Sequence, residues 1–129
     1  MNNLVYFLAL QRCHKTESFL IHGLWVDYAS GGYPSFCKDI PFDINKIKDI
    51  LPDLQKNWAS CQGKSESFWE HEWLKHGTCF DPPTTEYKYF CDALNIFHIL
   101  EPDLEELCGK HIKCMIKLDG YNDPEFPYF

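Results

Sequence analysis

No apolar run in the sequence approaches the about 18 residues that a bilayer-spanning helix requires, and mean hydropathy is −0.35. A membrane protein is not expected. Positive charge is also scarce, with 12 Lys plus Arg against 19 Asp plus Glu and a net charge of −7. No global basic surface exists to hold a polyanion, so nucleic acid would have to be handled at a local site. Cys-x-x-Cys pairs are absent although there are seven cysteines, Cys13, Cys37, Cys61, Cys79, Cys91, Cys108 and Cys114. That spacing argues against a zinc module and for disulfides in an oxidising compartment. Seven is odd, so one thiol is free, pairs between chains or lacks its partner. There is no Asn-x-Ser/Thr acceptor, repeat or low-complexity tract. With only seven Gly and eight Pro in 129 residues and 45% hydrophobic residues, disorder and fibrous structure are excluded. The length suits one domain, residues 1–129.

Leu4–Gln11 and Ser18–Trp25 are short runs rich in aromatic and branched residues and read as two strands of one sheet. The apolar start lacks a basic leader and a small-residue cleavage site, so it reads as a strand, and any secretion signal is expected upstream. Asp27–Pro34 is turn chemistry around Gly31-Gly32. Asp43 caps a helix with Ile44, Ile47, Ile50 and Leu51 at helical spacing, stopped by Pro52, with a further turn over Leu54–Trp58. Ser67 and Glu70 form a capping box, which starts a helix near Phe68 and carries it to His76, before Gly77. Thr84 or Thr85 starts a third helix with Tyr89, Phe90, Leu94 and Phe97 inward, ended by Pro102. Ile112–Leu118 alternates as a final strand, and Tyr121–Phe129 has no regular pattern.

The helix before Gly77 carries unusual chemistry. At about 100° per residue, with His71 at zero, Lys75 falls near 40°, Glu72 near 100° and His76 near 140°. Two imidazoles, a carboxylate and an ammonium share one face. That face reads either as a reactive site or as an exposed, salt-bridged surface. Zinc binding by His-Glu-x-x-His does not fit, because His71 and His76 are five apart and the second imidazole swings about 140° from the first. In the second strand His22 interrupts an apolar run and precedes Gly23, where something can approach the backbone closely. A lone strand histidine is ordinarily a satisfied core residue; partners on the helix would change that. His14, His98 and His111 read as surface or core residues, and Trp58, Trp69 and Trp73 as core.

Phe19-Leu-Ile-His-Gly-Leu-Trp25 and Phe68-Trp-Glu-His-Glu-Trp-Leu-Lys-His-Gly-Thr-Cys79 together resemble the two active-site segments of the ribonuclease T2 family, over 19 positions. These are secreted and vacuolar endoribonucleases that include the plant S-RNases. Ala9-Leu10-Gln11, Tyr33-Pro-Ser-Phe-Cys37, Tyr89-Phe90 and Ala93-Leu94-Asn95 extend the resemblance over about two thirds of the chain. It implies an α+β domain, an antiparallel sheet with packed helices, and cleavage of RNA without metal or cofactor. The ribose 2′-hydroxyl attacks its own phosphate, giving a 2′,3′-cyclic phosphate, and imidazoles suit the two proton transfers. By motif position, His76 resembles the general base and His22 the general acid. Glu72 and Lys75 match residues that stabilise the phosphorane, and His71 one that holds the phosphate. Trp25, Asp27 and Tyr33 match base-binding positions. The resemblance also implies a Cys37–Cys79 disulfide, with Cys13–Cys61 as a further pair, and no family cysteine at the Cys91 position; Cys91, Cys108 and Cys114 cannot all pair with one another, and Cys108 with Cys114 is one option that stays open. RNA is the implied partner, DNA is not cut for want of a 2′-hydroxyl, and a monomer in a secreted or vacuolar setting is expected.

The chain departs from the family pattern in three places. The link between the first strand and His22 is short, Val26 replaces a common proline, and the segment after Asn95 is much shorter. The third departure is expected to leave apolar surface uncovered on the sheet or helices. It also supports a second reading, a catalytically weak relative acting as an extracellular RNA-binding or effector protein.

Overall fold

Period-two alternation shapes the sheet. In the computed structural model, which describes residues 3–126, β1 (Leu4–Gln11) lies between β2 (Leu20–Tyr28) and β3 (Lys113–Lys117), both antiparallel to it. Leu8, Leu10, Ile21, Leu24 and Val26 point to the core and are fully buried or nearly so. The opposite face carries the row Gly23, Ala9 and Met115 across the three strands. Between Leu10↔Ile21 and Ala9↔Gly23 the register slips, so His22 has no partner of its own on β1. A bulge of this kind re-aims a side chain without ending the strand. β2 starts at Leu20 rather than Ser18 and runs through Asp27 to Tyr28, because Leu4 and Val5 pair with those last residues. The turn therefore begins after Tyr28, whose amide donates to the Gly32 carbonyl.

Asp43 caps a 3-10 turn, Ile44–Ile50, by accepting from the Asn45 amide. Pro52 does not stop this segment. It occupies the first turn of α1 (Leu51–Asn57), where its missing N–H has no intrahelical partner to lose. α2 (Ser65–Lys75) begins one turn earlier than the capping box implies. The Phe68 amide already bonds the Lys64 carbonyl, so Ser67 lies inside the helix, while Ser65 Oγ accepts from the Ser60 amide. α3 (Glu86–Leu100) is capped by Thr85, which accepts from the Lys88 amide. Pro102 lies in a following 3-10 turn, Glu101–Asp103, and a short α4 (Leu104–Cys108), not legible in the sequence, leads to β3.

α3 packs across β1 and β2 with Tyr89, Phe90, Ala93, Leu94, Ile96 and Phe97 buried. Trp58, Trp69 and Trp73 complete this core, and each indole nitrogen donates to a backbone carbonyl, of His22, Trp58 and Ile40 respectively. Cys13–Cys61, Cys37–Cys79 and Cys108–Cys114 are disulfides, and Cys91 is free. Arg12 is buried under Phe19 and donates to the carbonyls of Gly109 and His111 and to Glu105. It thereby holds the α4–β3 connection against the end of β1. Ile99, Leu107, Ile112 and Met115 are exposed apolar residues of this C-terminal part. Of the irregular tail, Pro127, Tyr128 and Phe129 lie outside the described residues, as do Met1 and Asn2 at the other end.

Candidate active site

A cavity of about 420 Å³ opens where β2 faces α2. It is lined by every one of His22, Trp25, Asp27, Tyr33, His71, Glu72, Lys75 and His76, together with Phe68 and Met115. Two elements far apart in sequence thus deliver the histidines to one place. His22 comes from the bulge on β2, with its carbonyl fixed by the Trp58 indole at 3.0 Å. His76 closes α2, its amide bonded to the Glu72 carbonyl.

Glu72 sits between them. Its carboxylate lies 4.0 Å from His22 Nε2 and 3.9 Å from His76 Nε2. Its side chain is 3% exposed, and Trp25 Nε1 donates to it at 2.8 Å. Gly23 makes this approach feasible: a Cβ there would stand 2.2 Å from Glu72 Oε1 and 2.3 Å from Trp25 Nε1. The Trp25 ring also stacks on His76, with centroids 4.8 Å apart and planes at 20°, and meets His22 edge-on. One face of Trp25 is therefore occupied by protein. Tyr33, 52% exposed, has its ring 6.1 Å from His76 and 5.5 Å beneath the Lys75 ammonium. His71 packs edge-on against Phe36.

Burial governs the charge states. Desolvation, reinforced by Lys113, His71 and Lys75, pushes His22 down to about 4, and desolvation with Lys75, His71 and His22 takes His76 down to about 3. Glu72 moves the other way, up to about 7, because burial outweighs the Trp25 hydrogen bond and the Lys75 charge. Between about pH 4 and 7 the three groups face one another as neutral species, so their approaches are proximity and not ion pairs. Burial also raises the Asp27 carboxyl. Among the described residues no group of three or more His, Cys, Asp or Glu is arranged to hold a metal ion.

Sequence reasoning missed Met115 as a cavity wall and Tyr89 as the beam behind it. The fully buried Tyr89 hydroxyl donates to the Leu24 carbonyl, accepts from the Leu24 amide and lies 3.4 Å from the Glu72 carbonyl, tying β2 to α2. A tyrosine at helical spacing offers no signal that its hydroxyl bridges two elements.

The chain is similar to known ribonucleases in sequence and in fold. The chain is 48% identical over 106 residues to ribonuclease 1 of Arabidopsis thaliana, covering 79% of this chain and 44% of that protein. It is 41% identical over 85 residues to ribonuclease DdI of Dictyostelium discoideum, covering 64% of this chain and 38% of that protein. The chain thus spans less than half the length of these relatives. Its fold is similar to the crystal structure of RNase NT in complex with 5′-AMP, with a TM-score of 0.71 and 29% identity over 83% of this chain and 63% of the other. The model of the ribonuclease T2 family matches residues 5–114, and the chain belongs to that family.

Proposed function

We propose that this chain cleaves single-stranded RNA by transesterification, with His76 as general base and His22 as general acid. The observation that carries the reading is the convergence of both Nε2 atoms on the Glu72 carboxyl, from separate elements, within one cavity. His76 takes the 2′-hydroxyl proton; O2′ forms a bond to phosphorus as the bond to the leaving O5′ breaks; the His22 imidazolium donates its proton to O5′. The products are a 2′,3′-cyclic phosphate and a free 5′-hydroxyl. The phosphate's own charge, once bound, favours the imidazolium form of His22 that burial otherwise opposes. A protonated Glu72 sets no negative charge against the phosphate and offers a hydrogen bond, while Lys75 and His71 supply the charge that the phosphorane gains.

Tyr33, exposed at the cavity mouth, supports a stacked base and, with the outer side of Trp25 and Asp27, a broad base preference. Relatives named as ribonucleases and a fold neighbour solved with 5′-AMP support RNA as the substrate. Three disulfides support an oxidising location, secreted or vacuolar.

The test is cleavage of a short RNA by the oxidised protein in EDTA from pH 4 to 8, beside a His22→Ala, His76→Ala double variant. Cyclic-phosphate products that disappear in the variant are expected, with at least about a hundredfold loss. No cleavage by folded parent protein, with RNA still bound, would move the function to binding.

A further inference from the structure

The cavity is lopsided in a way that the histidine motifs do not explain. Trp25 touches both histidines, but Tyr33 and Lys75 stand on the His76 side. On the His22 side stands Phe68, with its ring 5.5 Å away, and the edge strand β3 contributes Met115 to the cavity wall. Lys113 and Met115 are two apart on β3, so they share the outward face of the sheet. Opposite them on β1 are Gln11 and Ala9, and beyond Ala9 lies Gly23, so only small side chains separate Met115 from β2. Lys113 stands on the His22 side, since its β1 partner Gln11 also pairs with Leu20, two residues before His22. Its positive charge is the leading electrostatic influence on His22 and does not figure among those on His76, whereas Lys75 and His71 reach both.

β3 is held rigidly in this position. The Cys108–Cys114 disulfide, the Arg12 bonds to the Gly109 and His111 carbonyls, and the Arg12 amide bond to the Ile112 carbonyl all fix the entry to the strand. Lys117 is engaged with Asp119 at 3.7 Å. Among the described residues, no ion pair involves Lys113. In a chain of net charge −7, an unpaired ammonium beside the cavity is a local attractor for a polyanion.

We propose that β3 forms the leaving-group side of the cleft, with Met115 as its floor and the Lys113 ammonium holding the phosphate that follows the leaving nucleotide. The assignment rests on the ribonuclease reading above, because His22, the general acid, marks where O5′ departs. The next phosphate along the strand then lies beyond His22, on the Lys113 side.

The experiment compares three substrates: a dinucleotide XpY, the same with a terminal 3′-phosphate (XpYp), and the same with a 5′-phosphate (pXpY). In the parent, XpYp is expected to have the higher kcat/KM. In Lys113→Gln the preference for XpYp over XpY falls by about fivefold, the scale of one charge-assisted contact at a partly exposed site. Its log–log salt slope on XpYp shrinks by about 0.7, one counterion's worth on a single strand. Taking the ratio cancels any effect of the substitution on His22 itself. Lys117→Gln is the control and keeps the parental ratio. The proposal is overturned if the parent shows no preference for XpYp, if Lys113→Gln leaves the ratio unchanged, if Lys117→Gln lowers it equally, or if the loss falls on pXpY. Should the parent cleave nothing, the ribonuclease reading fails separately. The same ratios are then read as binding constants with fluorescent analogues carrying 2′-deoxyribose at X, and an unaltered binding ratio in Lys113→Gln overturns the proposal.

Discussion

The indole nitrogen of Trp25 donates to Glu72 Oε1 at 2.8 Å while the same ring stacks on His76. One side chain of β2 therefore sets both the carboxyl and an imidazole of α2, so the distance between strand and helix is part of the geometry of the proposed active site.

Gly23→Ala inserts a methyl group 2.2 Å from Glu72 Oε1 and 2.3 Å from Trp25 Nε1. Neither partner can retreat freely, since Glu72 lies between two histidines and Trp25 lies against one. Cleavage is expected to fall about a hundredfold, the scale of an ångström-sized misplacement, with circular dichroism still native. Unchanged kcat/KM in a folded variant would show that the Trp25–Glu72 contact is not needed.

For the free protein, kcat/KM is expected to be highest in acid, between the His76 value of about 3 and the His22 value of about 4. It should drop toward tenfold per pH unit above that range, as the His22 imidazolium disappears. The kcat profile should lie at higher pH, because bound phosphate favours protonated imidazole. Initial rates on a dinucleotide from pH 3 to 8 check both, and coincident profiles centred above pH 7 would contradict the assignment.

Stability carries the opposite sign. His22 and His76 have folded values below their ordinary 6.5, so the unfolded chain binds more protons below that pH, and stability is lost as pH falls from about 6.5 toward 4 and 3. Glu72, raised from 4.5 to about 7, contributes stability at low pH that is lost as pH rises through that window. Two imidazoles outweigh one carboxyl, so the thermal midpoint should fall on acidification from pH 6.5 to 4.5. A His22→Asn, His76→Asn variant should lose less over the same range, by calorimetry; an equal loss would place the acid sensitivity elsewhere.

The Cys37–Cys79 disulfide joins the loop bearing Tyr33 to the 3-10 turn after α2, across 42 residues of sequence. The loop is also tied by the Phe36 amide to the Lys75 carbonyl at 3.0 Å. Cys37→Ser, Cys79→Ser should lower unfolding free energy by up to about 4 kcal/mol from loop closure. It should also raise KM more than it lowers kcat, because Tyr33 is loosened while His22 and His76 stay on regular elements. Denaturant titration and steady-state kinetics together test this; an unchanged KM would place the loop outside substrate binding.

Much of the frame was legible along the chain. Short runs of aromatic and branched residues marked β1 and most of β2, alternation marked β3, and Asp43 and Thr85 cap where their side chains can reach an amide two or three residues on. Such features depend on neighbours in sequence. The errors came where a local signal had a rival. The Ser67–Glu70 box lost to a helix begun a turn earlier, and Pro52 sat where a first turn tolerates it. β2 outran its expected end because β1 supplied partners as far as Tyr28.

The sequence by itself determined which chemical groups the protein has and which lie on one helix face: His71, Glu72, Lys75 and His76 follow from a 3.6-residue period. Only the tertiary structure decided that His22 meets them. That meeting needs a one-residue slip between β1 and β2, a glycine that admits a carboxyl, a tyrosine bridging strand and helix, and an edge strand pinned by Arg12. Each joins residues tens of positions apart, and their proximity depends on the packing of the whole core, which no local periodicity encodes.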